Sequence, residues 1–166
     1  TRTFPVSGRY SAEQKAIYNL VLKAQLAVIA MIKPGLIWNT MQDKIIEIFV
    51  EGLVELGILV GSPADLIATQ AYLPFYMHKS GHWLGLDTHD VGQYKRAGQW
   101  RPLQANMVLT VEPGIYISPN TPNVDPKWYG IGVRIEDDVV VTKTGSHVLS
   151  ANLVKTVAEI EAVMSS

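Results

Sequence analysis

The feature that most constrains the fold is a change in hydrophobic period near Tyr72. Before it the pattern is helical. Ser11-Ala12-Glu13-Gln14 reads as a capping box, in which hydroxyl and amide side chains satisfy reciprocal backbone donors. Ile17, Leu20, Val21, Ala24, Val28 and Met31 follow at helical spacing, and Lys33-Pro34-Gly35 stops the run. A second helix is expected from about Thr40, with Ile45, Ile46, Phe49, Val50, Leu53 and Leu56 as its buried stripe and Gly57 as its cap. Ser62-Pro63-Ala64-Asp65 opens a third, shorter helix to about Gln70. After Tyr72 the period becomes two, broken by Gly, Pro and Asn. Strands are expected at 73–78, 83–87, 107–112, 115–117, 131–135 and 138–142. Segments 94–106 and 118–129 read as loops, and a short helix is expected from Lys155 to Met164. Helices followed by strands predict an α+β fold, with the helices packed on one face of an antiparallel sheet.

At 166 residues the chain has room for one domain with a real core, so residues 1–166 are expected to form a single unit. Fourteen Lys and Arg against 15 Asp and Glu leave a net charge of −1, which gives no electrostatic reason to expect nucleic acid or an anionic membrane. The longest near-apolar stretch, Leu26 to Ile32, falls far short of the roughly 20 residues that span a bilayer. With no cysteine, disulfides and thiolate zinc sites are excluded, and the composition is compatible with the cytoplasm. No charged-apolar-small signal opens the chain. Thr1-Arg2-Thr3-Phe4-Pro5-Val6 instead alternates like the tail of a strand already under way, and we read this beginning as a cut.

Chemistry concentrates in three segments. His78-Lys79-Ser80-Gly81-His82-Trp83-Leu84-Gly85-Leu86-Asp87-Thr88-His89-Asp90 holds three of the four histidines, and imidazole is the commonest metal ligand. Gly81 and Gly85 argue against a helix there, so the spacing of four between His78 and His82 must work in a turn or bent strand. Leu109-Thr110-Val111-Glu112-Pro113-Gly114 and Gly132-Val133-Arg134-Ile135-Glu136-Asp137-Asp138 each place a glutamate at the end of an apolar run. Alternation puts Val108, Thr110 and Glu112 on one face of the first run, and Arg134 with Glu136 on one face of the second. Taken singly these residues have bland readings: a packed histidine, a solvent-facing glutamate, an Arg134–Glu136 ion pair. Asp137 and Asp138 read as a turn entry. Taken together, one histidine and two carboxylates suit Mn, Zn or Fe and suggest a metallohydrolase.

At the same segments the sequence resembles the catalytic half of the pita-bread metallopeptidases, and within them the Xaa-Pro aminopeptidase (aminopeptidase P) family. The likeness rests on His78-x-x-x-His82-Trp83-Leu84-Gly85-Leu86-Asp87-x-His89-Asp90-Val91-Gly92, on Leu109-Thr110-Val111-Glu112-Pro113-Gly114-Ile115-Tyr116, and on Gly130-Ile131-Gly132-Val133-Arg134-Ile135-Glu136-Asp137-Asp138. It runs along essentially the whole chain. The resemblance implies the C-terminal portion of the pita-bread fold, with helices on a curved antiparallel sheet. It also implies a site for two Mn²⁺ ions that hydrolyses the bond before a penultimate proline. By position it makes His82, Glu112 and Glu136 metal ligands, with Glu112 also moving the proton of the attacking water. His78 and His89 become substrate-contacting histidines, and Tyr116 and Arg134 support the carboxylates. Two aspartate ligands of the family would lie just upstream of Thr1, so the chain by itself is expected to bind metal weakly and to be a poor enzyme. Exposed strand edges would favour oligomerisation, a homo-oligomer included. The rivals are a proline dipeptidase of the same fold, and a pita-bread module that binds peptides without catalysis.

Overall fold

A computed structural model describes residues 1–165. Its helices are α1 (Ala12–Met31), α2 (Trp38–Glu55), α3 (Pro63–Ala68) and α4 (Val157–Met164). Ser11 and Thr156 cap α1 and α4 through both bonds of the capping box, and Ser62 caps α3 by accepting from Asp65 N–H. Helix α1 packs along α2, and Ile17, Val21, Val28, Ile45, Phe49 and Leu53 are all sealed from solvent between them and the sheet. Each such side chain contributes about 1.5–3 kcal/mol relative to exposure, so this interface is where the helical half gets its stability.

The strands are β1 (Lys95–Arg96), β2 (Gln99–Trp100), β3 (Val108–Val111), β4 (Gly114–Tyr116), β5 (Gly132–Arg134), β6 (Asp137–Val141) and β7 (Ser146–Val148). All pairings are antiparallel: β3–β6–β7, β4–β5 and β1–β2. Val111 pairs with Asp137 and Gly114 with Arg134, so one register runs unbroken from β3–β6 into β4–β5. The ladder is interrupted only at Glu112-Pro113 and Ile135-Glu136, since proline has no N–H to donate. Two further segments lie along its edges. Residues 80–84 bond to β3 through Glu112 N–H to Ser80 O (2.7 Å), Thr110 N–H to His82 O (3.0 Å) and Leu84 N–H to Val108 O (3.1 Å). On the other edge, Glu136 N–H donates to Thr1 O at 3.0 Å. One face of the ladder, with Leu109, Val111, Ile115, Val133, Ile135 and Val139, belongs to the core. The other face carries the polar residues.

Several sequence expectations need correction. Residues 73–78 form no strand: 73–75 turn, with Phe75 and Tyr76 N–H both donating to Tyr72 O at 2.9 Å, and 76–78 are irregular. Of 83–87 only Trp83 is bridged, to Leu109, and bends follow it. The expected loop 94–106 contains the β1–β2 hairpin, and β7 was not foreseen. The opening residues make sheet-like bonds without forming a strand.

The largest correction concerns Asp137. It is no turn entry. It starts β6 pointing into the core, 1 % exposed, and its carboxylate accepts four hydrogen bonds. They come from Arg2 Nη2 (2.7 Å), Ser150 Oγ (2.7 Å), Gln25 Nε2 (2.8 Å) and Lys155 Nζ (2.6 Å). A buried charge is tolerated when fully paired, and these donors pair this one.

Candidate metal centre

Strand register builds the site. Carried across the interruption, the pairing sets Glu112 directly opposite Glu136. Thr110, Glu112 and Tyr116 from one side, and Arg134 and Glu136 from the other, therefore share the polar face. Like charges directly opposed on a ladder destabilise it unless something positive lies between or beside them. Residues 80–84 add His82 to the same face, opposite Thr110. This close approach needs Gly81, where a Cβ would run into the Thr110 carbonyl oxygen.

His82 is held at three points. Its N–H donates to Thr110 Oγ1 at 3.0 Å, its carbonyl accepts from Thr110 N–H, and its ring Nδ1 lies 2.9 Å from Trp83 O. A carbonyl only accepts, so Nδ1 carries the proton, and the lone pair of a neutral ring is on Nε2. Nε2 lies 3.3 Å from Glu112 Oε1, which also accepts from Thr110 Oγ1 at 3.2 Å. Two acceptors at that distance are reconciled either by a proton on Nε2 or by a cation shared between them. One ligand atom from each of His82, Glu112 and Glu136 falls within 4.8 Å of the others, all three partly shielded from solvent. Glu136 also accepts from the Thr1 hydroxyl. Imidazole nitrogen and carboxylate oxygen form a donor set suited to Mn, Zn or Fe, and the arrangement fits a divalent cation.

A second chain of contacts leads away from Glu112. Arg134 Nη1 lies 3.8 Å from Glu112 Oε2, while Arg134 Nε donates to Tyr116 Oη at 2.8 Å. Tyr116 in turn lies 2.8 Å from His78 Nε2, and His78 Nδ1 lies 2.8 Å from Lys79 O. The same tautomer logic makes His78 Nε2 the acceptor of the Tyr116 hydroxyl proton. The guanidinium of Arg134 keeps its charge firmly: burial works against it, and the Tyr116 hydrogen bond and the glutamates outweigh burial. His89 is exposed, and its ring centroid is 4.2 Å from that of His82 in an edge-on contact. Contacts thus link all seven residues singled out in the sequence, and three of them, His82, Glu112 and Glu136, meet at one point.

Other contributors escaped the sequence reading. Gln42 of α2 accepts at Oε1 from Ser80 N–H (2.9 Å), from the Ser80 hydroxyl and from Tyr76 Oη (3.2 Å), which fixes the stretch leading into His82. Burial pushes the Tyr76 hydroxyl well above the usual tyrosine range, so it stays protonated there. No sequence signal marks Gln42, because its partners lie 34 and 38 residues away. Thr110 could have been found, since alternation already put it beside Glu112.

Comparison with known proteins places the chain in a family. The Xaa-Pro aminopeptidase of Haemophilus influenzae is 51 % identical over 165 residues, covering 99 % of this chain and 38 % of that protein. The Escherichia coli Xaa-Pro aminopeptidase is 48 % identical over 164 residues, covering 99 % and 37 %. Among solved structures, Pseudomonas aeruginosa aminopeptidase PepP superposes with a TM-score of 0.97 at 56 % identity, covering 99 % of this chain and 37 % of that one. A zinc-substituted E. coli aminopeptidase P in complex with product gives 0.94 at 47 % identity, with the same coverage. The chain thus spans under two fifths of the length of these relatives. The model of metallopeptidase family M24 matches residues 1–143, a span that holds the whole His82–Glu112–Glu136 cluster, and the chain belongs to that family.

Proposed function

We propose that this chain supplies the metal-binding and substrate-orienting face of a metallo-aminopeptidase that releases the N-terminal residue from peptides with proline second. The observation that carries the reading is the meeting of His82 Nε2, Glu112 and the opposed Glu136 at one point of a rigid ladder. A positive charge there relieves both the facing acceptors and the facing carboxylates. The proline preference comes from the relatives, which are named for it.

His82, Glu112 and Glu136 would hold the cation, with Mn²⁺ the ion we expect and a second ion requiring further ligands. When bound, a divalent cation polarises a carbonyl and makes water a nucleophile near neutral pH. Glu112, whose Oε2 faces Arg134, would accept the proton that the attacking water gives up. Arg134 and Tyr116 orient His78, His89 lies against His82, and both histidines would contact the bound peptide. Aligning that carbonyl is the main contribution these side chains make to rate.

The assay is hydrolysis of Xaa-Pro tripeptides and dipeptides by the protein that carries this sequence, loaded with Mn²⁺, beside its His82→Ala variant. Tripeptide turnover that falls at least about a hundredfold in the variant is expected. Undiminished turnover in the variant removes His82 from the ligand set. Cleavage of dipeptides alone makes the protein a proline dipeptidase.

A further inference from the structure

On the Gly81 side of His82 a slot of about 430 Å³ opens between Trp38, Tyr94 and Trp100, with Lys79 and Lys95 among its lining. Its walls are built to stay in place. The β1–β2 register sets Lys95 opposite Trp100, with Lys95 Nζ 4.2 Å from the centre of the Trp100 ring. Trp38 meets Tyr94 edge-on at 4.8 Å, Tyr94 stacks on Trp83 at 5.5 Å, and Trp38 N–H donates to Arg101 O at 2.9 Å. Lys79 and Lys95 are exposed and form no ion pair among the described residues, and none of the lining residues is acidic. An aromatic slot with ammonium groups beside it that no carboxylate neutralises suits an apolar group that carries an anion.

We propose that this slot receives the C-terminal residue of a short peptide, its side chain between Trp38 and Trp100 and its α-carboxylate at Lys79 and Lys95. The proposal rests on the metallopeptidase reading for the ligand being a peptide. Charge sets the direction: the carboxylate end of such a peptide is drawn to the lysines beyond His82, which leaves the rest of the peptide toward the metal centre. The slot would then favour short peptides ending in a large apolar residue over longer or amidated ones. The walls are preorganised, so little ordering cost opposes binding.

The test is tryptophan fluorescence of the chain in EDTA, titrated with N-acetylphenylalanine and with N-acetylphenylalaninamide. Three of the four tryptophans, Trp38, Trp83 and Trp100, lie in or against the slot. A saturable change with the acid, roughly tenfold weaker with the amide, is expected from loss of the charge-assisted bond. Lys79→Gln and Lys95→Gln alter only exposed positions and should each weaken the acid severalfold without changing circular dichroism. Trp100→Ala should abolish the signal. Equal binding of acid and amide, or no saturable change with either, overturns the proposal. EDTA removes any cation, so a negative result leaves the peptidase reading intact, and a failed peptidase assay leaves a positive result standing.

Discussion

Between Glu112 and Glu136 the chain keeps two carboxylates opposed on neighbouring strands, an arrangement that costs stability unless charge is supplied. Glu136→Gln keeps the shape and the acceptor for Thr1 while removing one charge. Because Arg134 already lies beside Glu112, the metal-free thermal midpoint should move by the equivalent of less than about 1 kcal/mol. The substitution should also abolish the rise that wild type shows on adding Mn²⁺ or Zn²⁺. Differential scanning calorimetry with and without metal checks both, and a metal-induced rise that survives in the variant would remove Glu136 from the ligand set. The identities of these residues were legible in the sequence, since each glutamate closes an apolar run and the histidines cluster. Their opposition was not, because it depends on a register that only the pairing of Val111 with Asp137 and Gly114 with Arg134 reveals.

The β1–β2 hairpin is the element least visible in the sequence. Its strands are two residues long, too short for any period to show, and its turn is Ala97-Gly98. Both turn residues have positive φ, 48° at Ala97 and 78° at Gly98, the combination a two-residue hairpin needs. Alanine pays for that conformation, so Ala97→Gly should stabilise the protein by about 1 kcal/mol in urea unfolding. Destabilisation instead would mean that the turn is not held as described. The helices were far more legible. Capping residues at Ser11 and Ser62 and the stripes of α1 and α2 are local signals, and local signals survive into the fold. Residues 73–78 misled for the opposite reason. Their alternation is real, but α2 claims Tyr76 and Ser80 through Gln42, and the backbone turns there.

Over the whole molecule, Asp137 joins the N-terminal segment, α1, β6 and the stretch 150–155 in one buried cluster directly after Glu136. Its partners are up to 135 residues away, which is why neighbouring sequence suggested only a turn. Burial pushes this carboxyl up, but hydrogen bonds from Lys155, Arg2, Ser150 and Gln25 outweigh it and hold the group at about 2. The folded value lies below the unfolded one, so the stabilisation is full above about pH 4 and is lost as pH falls toward 2. It amounts to something on the order of 2 kcal/mol. Urea midpoints should therefore fall more steeply between pH 5 and 2.5 in wild type than in Asp137→Asn, and equal slopes would contradict the assignment. The same cluster braces the start of β6, directly after Glu136, which links global stability to the geometry of the site. That geometry is tested most directly by isothermal titration of Zn²⁺ and Mn²⁺ into this chain and into its His82→Ala and Glu112→Gln variants. The account predicts weak saturable binding to the wild-type chain that drops at least about tenfold in each variant. Affinity unchanged by both substitutions would place any bound cation elsewhere and remove the centre described here.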